Sequence, residues 1–345
     1  MEQLRAFIRK EFIHIFRDGR TMLILLVMPL LLVLIFGYAV STEVRGTLVA
    51  VADEAQTPES HALTQAIDAS QYFNVTRTLT SGAHAKELLT AGEADVVVLI
   101  AADGAMQILA DGSEPNQAQM RAMYLQQIAS PTMKGGGAVT FLYNPQQKSE
   151  YNFVPGVIGM IILIICAMLT SVSIVREKEM GTMEVLLASP LKPLTIIIAK
   201  LVPYFVMSSV NLVTILLLSH FVMGVPIAGS ITTFTLLSLL YIFVSLALGL
   251  LISCAVNTQM AAMLLSLLLF VPTVYLSGMV FPIESLPAVL QRPSNVTPAR
   301  WYMDGARRLL IQGVPVQYLA KNFAVLTLQA FVLIAISLKL FKKRL

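Results

Sequence analysis

The sequence predicts an α-helical integral membrane protein with six transmembrane helices and one inserted extracytoplasmic α/β domain. Three observations carry that prediction. Of the 345 residues, 56% are hydrophobic and only 13% are charged, about half the charged share of a soluble domain. Apolar runs long enough to cross a bilayer recur along the chain. The charges are also partitioned: residues 41–150 hold twelve acids and six bases, and the remainder holds eight acids and eighteen bases. Basic ends beside apolar runs fix orientation and attract anionic lipid. The one soluble stretch is acidic, which argues against a nucleic-acid-binding face.

Residues 1–19 have the spacing of an amphipathic helix. Leu4, Phe7, Ile8, Phe12, Ile15 and Phe16 share one face, and Arg9, Lys10, His14 and Arg17 share the other. Such a helix lies in the interface plane on the cytoplasmic side. The first span is expected over 21–40, since twenty residues at about 1.5 Å each cover the roughly 30 Å hydrocarbon core. The run is too long for the apolar part of a signal peptide, which predicts an uncleaved anchor. Arg9, Lys10, Arg17 and Arg20 precede it and keep the N-terminus inside.

Residues 41–150 read as the α/β domain. Strand-like stretches at 47–52, 73–79, 95–101 and 106–110 alternate with helical ones at 58–70, 83–91 and 114–128. Its position after the first span puts it outside. Gly135-Gly136-Gly137 is a flexible return to the membrane, and no phosphate-binding loop motif occurs. Further spans are expected at 153–175, 194–223, 231–254, 260–280 and 323–341, with both termini cytoplasmic. Segment 281–321 resists this arrangement. It falls outside, yet it carries Arg292, Arg300, Arg307, Arg308 and Lys321 against Glu284 and Asp304. The bias rule prefers such charge inside. Moving the segment inside would strand Lys342-Lys343-Arg344 outside, so six spans are kept.

The densest charge cluster between two apolar runs is 176–193. Arg176, Glu177, Lys178 and Glu179 end the second span in a polar turn. Gly181 frees the backbone. Thr182 can cap a short helix whose inner residues are Met183, Val185, Leu186 and Leu187. Pro190 and Pro193 punctuate the return to the membrane. A short helix with an apolar stripe under a membrane domain can receive force from a soluble partner. Its apolar residues would carry the docking, and its charges would set orientation. The plain alternative is a basic hairpin that only fixes topology.

The pattern R-E-K-E-x-G-T-x-E-x-L-L-x-S-P, which includes Glu184, resembles the cytoplasmic coupling loop of ABC-2 type transporter permeases. A second stretch, S-G-M-V-F-P-I-E-S-L-P at 277–287, resembles the re-entrant turn after that family's fifth span. Its marked residues are Gly278, Phe281, Pro282, Glu284 and Pro287. Gly278 permits a break and the prolines prevent the helix from resuming; a plain loop is the alternative. The resemblance covers the whole chain, beginning with an "elbow" at 1–19. The large insert narrows it to permeases with an extracytoplasmic domain, often found beside an ATPase and a periplasmic adaptor. It implies a bacterial inner-membrane exporter subunit that works with a second permease, identical or sibling. ATP and Mg would sit on a separate ATPase, and this chain would hold no cofactor and catalyse nothing. An amphiphilic drug-like or lipid-like substrate would fit.

No metal-ligand spacing or nucleophile–base constellation is present. Cys166 and Cys254 read as small buried hydrophobes. His14, His61, His84 and His220 are scattered, and the N-V-T sequons at Asn74 and Asn295 fall in segments expected outside. No Asp, Glu or Arg occupies the centre of a span, and Lys200 and Lys339 are expected to snorkel from the inner ends. An ion-coupled secondary transporter would use intramembrane carboxylates or broken-helix ion sites. A membrane sensor would be expected to carry a cytoplasmic signalling domain. Both remain the runners-up. Asn211 is the candidate pathway residue, because an amide in mid-span needs a partner.

Overall fold

The computed structural model describes residues 2–17, 19–39, 46–110, 115–129, 149–183, 193–280, 283 and 286–343. Glu184, Leu186, Leu187, Phe281, Pro282, Glu284 and the Gly135–Gly137 triplet lie outside the described residues. The first elements are α1 (Glu2–Arg17), α2 (Gly19–Ala39), β1 (Thr47–Asp53), α3 (Pro58–Asp68), β2 (Phe73–Leu79), α4 (Ala85–Thr90), β3 (Val96–Ile100), β4 (Met106–Ala110) and α5 (Pro115–Ala129). After them come α6 (Ser149–Glu179), α7 (Pro193–Phe221), α8 (Ile231–Ala255), α9 (Gln259–Leu276), α10 (Ala288–Ser294), α11 (Pro298–Arg307) and α12 (Ala320–Lys343). The chain divides into two compact units, one of Met1–Ser41 with Ser149–Leu345 and one of Thr42–Lys148.

The smaller unit is built on a four-stranded sheet in the order β2-β1-β3-β4. β1 pairs parallel with β2 and β3, and β4 pairs antiparallel with β3. The two-residue period of a strand separates its faces. Val49, Val51, Val96, Val98 and Ile100 pack with Leu63 and Ile67 of α3 and Leu125 of α5. Ala50 and Val97 turn the other way, onto Ala85 and Leu88 of α4. Strands covered on both faces read as apolar runs, as in Val96–Ile100. Thr57 and Ser60 start α3 with reciprocal side-chain-to-backbone bonds of 3.2 and 3.0 Å.

In the larger unit, five stretches are long and apolar enough to cross a membrane among the described residues: Phe153–Glu179, Thr195–Phe221, Ile231–Ala255, Gln259–Leu276 and Val316–Leu340. A shorter apolar helical stretch, Leu26–Ile35, lies in α2. Pro155, Pro203 and Pro272 sit inside α6, α7 and α9 without ending them, as neighbouring helices allow in membranes. α6 and α8 form the centre. A Cβ on Gly249 of α8 would stand 2.5 Å from the Ala167 carbonyl oxygen of α6, so only glycine lets these backbones approach this closely. α9 and α12 leave most of their apolar surface exposed, which suits contact with lipid.

After the 277–287 stretch, α10 and α11 form. Pro298 takes the first turn of α11, where its fixed φ and missing N–H cost nothing. Pro293 lies within α10. A π-helical turn at Arg308–Gln312 follows α11 and is closed by Gly313 at φ +65°. α11 belongs to the core. Its Tyr302 ring stacks on Tyr241 of α8, with centroids 4.2 Å apart. The Tyr302 hydroxyl lies 3.0 Å from Ser238 Oγ, and Tyr241 donates to the Gly159 carbonyl at 3.0 Å.

Candidate functional site at the head of the 176–193 loop

α6 continues as helix through the charge cluster to Glu179. Its end is a left-handed cap: Gly181 has φ +71°, and its N–H donates to the Lys178 carbonyl at 3.1 Å. Thr182 and Met183 are helical again after this cap. The Thr182 hydroxyl donates backward to the Glu177 carbonyl at 3.2 Å. Met183 is buried and joins the core of the larger unit. The apolar stripe beyond it is outside the described residues. Arg176 is exposed.

The three charges after Arg176 reach three different places. Glu177 Oε1 lies 2.9 Å from Lys200 Nζ of α7 and 3.6 Å from Lys10 Nζ of α1. Glu11 of α1 completes the group, 3.7 Å from Lys200 Nζ and 2.9 Å from Lys10 Nζ. Lys178 Nζ donates to the Ser253 carbonyl near the end of α8. The Glu179 carboxylate accepts the backbone N–H of Gln259 at 3.1 Å and its side-chain amide at 2.9 Å. Gln259 opens α9, where the helix dipole favours a negative group.

Burial sets the energetic scale of this group. Glu11 and Lys200 are 4% and 3% exposed. Lys200 therefore does not snorkel. It lies about two turns into α7 and turns inward, because two carboxylates meet it there. Two lysines and two glutamates leave the cluster neutral. An exposed ion pair contributes about 0–1 kcal/mol, but removing one partner of a buried pair costs about 3–5 kcal/mol. Glu177 thus does more than set orientation. Burial works to lower the Lys10 ammonium, and the Glu11 and Glu177 carboxylates outweigh it and hold it above its ordinary 10.5. A raised lysine contributes stability that is fully present below 10.5 and is lost as pH rises past its folded value. Lys10 does not switch near neutral pH.

The second marked stretch lies at the other end of α9, about 27 Å away for eighteen residues. There Gly278 has φ +80°, and its carbonyl accepts from Arg307 Nη2 at 3.4 Å. The Pro287 carbonyl accepts from Leu290 N–H at 2.8 Å as α10 begins. The two marked stretches therefore do not form one site. Asn211 is buried within α7. Lys10, Glu11 and Lys200 were missed as site residues. The available signal was a lysine inside an apolar run and a glutamate one turn before Ile15 on the amphipathic helix. Among the described residues no cluster of potential ligands could hold a metal.

Fold and site together define a multi-pass helical membrane protein in which the last turn of α6, at the head of the 176–193 loop, is tied by side chains to several helices. The comparisons give the class a family. The model of the "ABC-2 family transporter protein" family matches residues 20–339. The chain is 31% identical to the probable multidrug ABC transporter permease YbhS of Escherichia coli (strain K12), with 99% of this chain and 97% of that protein aligned. It is 30% identical to the probable multidrug ABC transporter permease YbhR of the same strain, over 90% of each chain. The inner membrane transport permease YhhJ of that strain is 30% identical over 54% of this chain and 51% of its own length. The chain belongs to the ABC-2 transporter family and is a membrane-spanning permease subunit of an ABC transporter.

Replacing Lys200 with methionine leaves Glu11 and Glu177 buried with Lys10 as their shared cation. The expected outcome is a loss of about 3–5 kcal/mol, read as a lower melting temperature in detergent. Adding Glu177→Gln to Lys200→Met should recover most of it, since uncharged substitutes for a buried pair can be neutral. Additive losses in the double variant would show that the two residues do not act as a pair.

Proposed function

We propose that this chain is the six-span permease half of an ABC exporter in a bacterial inner membrane, moved from its cytoplasmic face through 176–193. α2 would supply the sixth span, both termini would be cytoplasmic, and residues 41–150 would lie outside. ATP and Mg would be held by a separate ATPase, and a second permease, identical or sibling, would complete the unit. ATP binding would displace the loop and bias the permease pair between inward- and outward-open states. The observation that carries this reading is the fan of Glu177, Lys178 and Glu179 onto α7 and α1, α8 and α9. A push delivered through the loop to the end of α6 would move several helix ends together. A basic hairpin that only fixed topology would need no such ties.

Docking would rest on residues 182–187, with Leu186 and Leu187 entering a groove of the ATPase. Burying one leucine contributes about 1.5–3 kcal/mol. An amphiphilic drug-like or lipid-like substrate is proposed, and the word multidrug in the names of YbhS and YbhR supports the drug-like class. Asn211 is proposed to line the pathway, and Gly278, Phe281, Pro282, Glu284 and Pro287 a re-entrant turn. A periplasmic adaptor is a further proposed partner of the outer domain.

Leu186→Asp tests the docking. With insertion and expression matched, it should abolish capture of the ATPase and stimulation of ATP hydrolysis. Full capture with full transport would return the loop to a topological role. The orientation has its own check. Single cysteines at Asp53 or Gly104 should react with impermeant thiol reagents in intact spheroplasts; labelling only after lysis would place residues 41–150 inside.

A further inference from the structure

The positive charge that resists the orientation rule gathers around one cavity. At the end of α9 away from the 176–193 loop, a space of about 290 Å³ opens beside α11 and the start of α12. Arg300, Arg307, Arg308 and Lys321 line it, and among the described residues Asp304 is the one carboxylate of the lining. Asp304 is already engaged: Arg308 Nε lies 3.1 Å from one oxygen, and Asn322 Nδ2 donates to the other at 3.0 Å. Arg300 is held by neutral groups, donating to Ser294 Oγ at 2.6 Å and to Asn295 Oδ1 at 2.8 Å. Arg300 and Lys321 both lie over the Trp301 ring, 5.3 and 5.2 Å from its centroid.

Two cations sharing one ring repel each other, and Arg300 and Lys321 meet only neutral groups and the Trp301 ring in the contacts described. An anion in the cavity removes that repulsion. The planar guanidinium fork matches phosphate oxygens in pairs, and lysine binds them as a point charge. Pockets for drug-sized ligands measure about 300–1,000 Å³. This cavity falls just below that range and suits a small group. Trp301 and Tyr318 in its wall are the residue types found at headgroup depth.

We propose that this cavity binds the phosphate group of an anionic molecule, either the headgroup of an acidic phospholipid or a free phosphate. The bound anion accounts for a basic segment on the face where the bias rule disfavours one. The inference does not depend on the coupling role of 176–193.

Trp301 is the single tryptophan of the chain, so its emission reports on the cavity directly. The purified full chain in uncharged detergent is titrated with dihexanoyl phosphatidic acid, inorganic phosphate and dihexanoyl phosphatidylcholine, by fluorescence and by calorimetry. The expected result is saturable binding of phosphatidic acid, with none of phosphatidylcholine. Saturation by inorganic phosphate as well identifies the free anion as sufficient; saturation by phosphatidic acid alone identifies the lipid headgroup. Arg300→Gln with Lys321→Gln should weaken binding at least tenfold. That pair removes the cations over the ring and changes emission by itself, so its constant is taken from calorimetry. Arg308→Gln, which lies off the ring, should weaken binding at least threefold, because Asp304 then loses its cation. Equal binding of phosphatidylcholine, no saturation by either anion, or unchanged constants in both variants at matched salt would overturn the proposal.

Discussion

The contact between Glu177 and Lys200 joins the end of α6 to the beginning of α7, the two helices between which the 176–193 loop is strung. Both side chains are removed from most solvent, at 15% and 4% exposed. Neither charge could stay there alone. The pair therefore recruits Glu11 and Lys10, and with them the amphipathic helix α1. Four charges from three helices cancel, and the position of α1 follows from that requirement: Glu11 and Ile15, one turn apart, are its buried residues among those described. A purely apolar contact would let α1 slide or rotate at little cost, whereas the charged group accepts few registers.

Away from that end, small residues and hydroxyls replace charge. Gly249 brings α8 against α6, and Gly159 leaves room for Tyr302, whose ring a Cβ there would approach to 2.9 Å. Tyr241 and Tyr302 then bind α6, α8 and α11 into one packed centre. Close-packed helices transmit displacement because they deform little. The bundle thus has polar ties where the loop enters, a rigid middle, and helices α9 and α12 exposed along their apolar sides.

The long helices were legible because membrane burial demands an apolar composition that no loop shares. In the smaller unit, alternation fixed the strands, since Val49 and Val51 face one way and Ala50 the other. The charge at 176–179 marked the loop, but its destinations were not legible. Lys200 looked free to reach solvent because its partners lie on α6 and on α1, far away in sequence. The helices at 288–294 and 298–307 were not read from the sequence, which offered only the break at 277–287 before them. The bond from the Thr182 hydroxyl back to the Glu177 carbonyl was likewise not legible.

The ties at 177–179 predict that the end of α6 and the helix ends bound to it move as one body. Distances between spin labels in the ATPase-bound complex measure this, with Cys166 and Cys254 first replaced by serine. Met180, Phe16 and Val316 are 64%, 57% and 54% exposed and can carry labels. Between the nucleotide-free and ATP-trapped states, the Met180–Phe16 distance should stay constant while the Met180–Val316 distance changes. A change in the Met180–Phe16 distance on ATP binding would contradict the account, because the end of α6 would then move independently of α1.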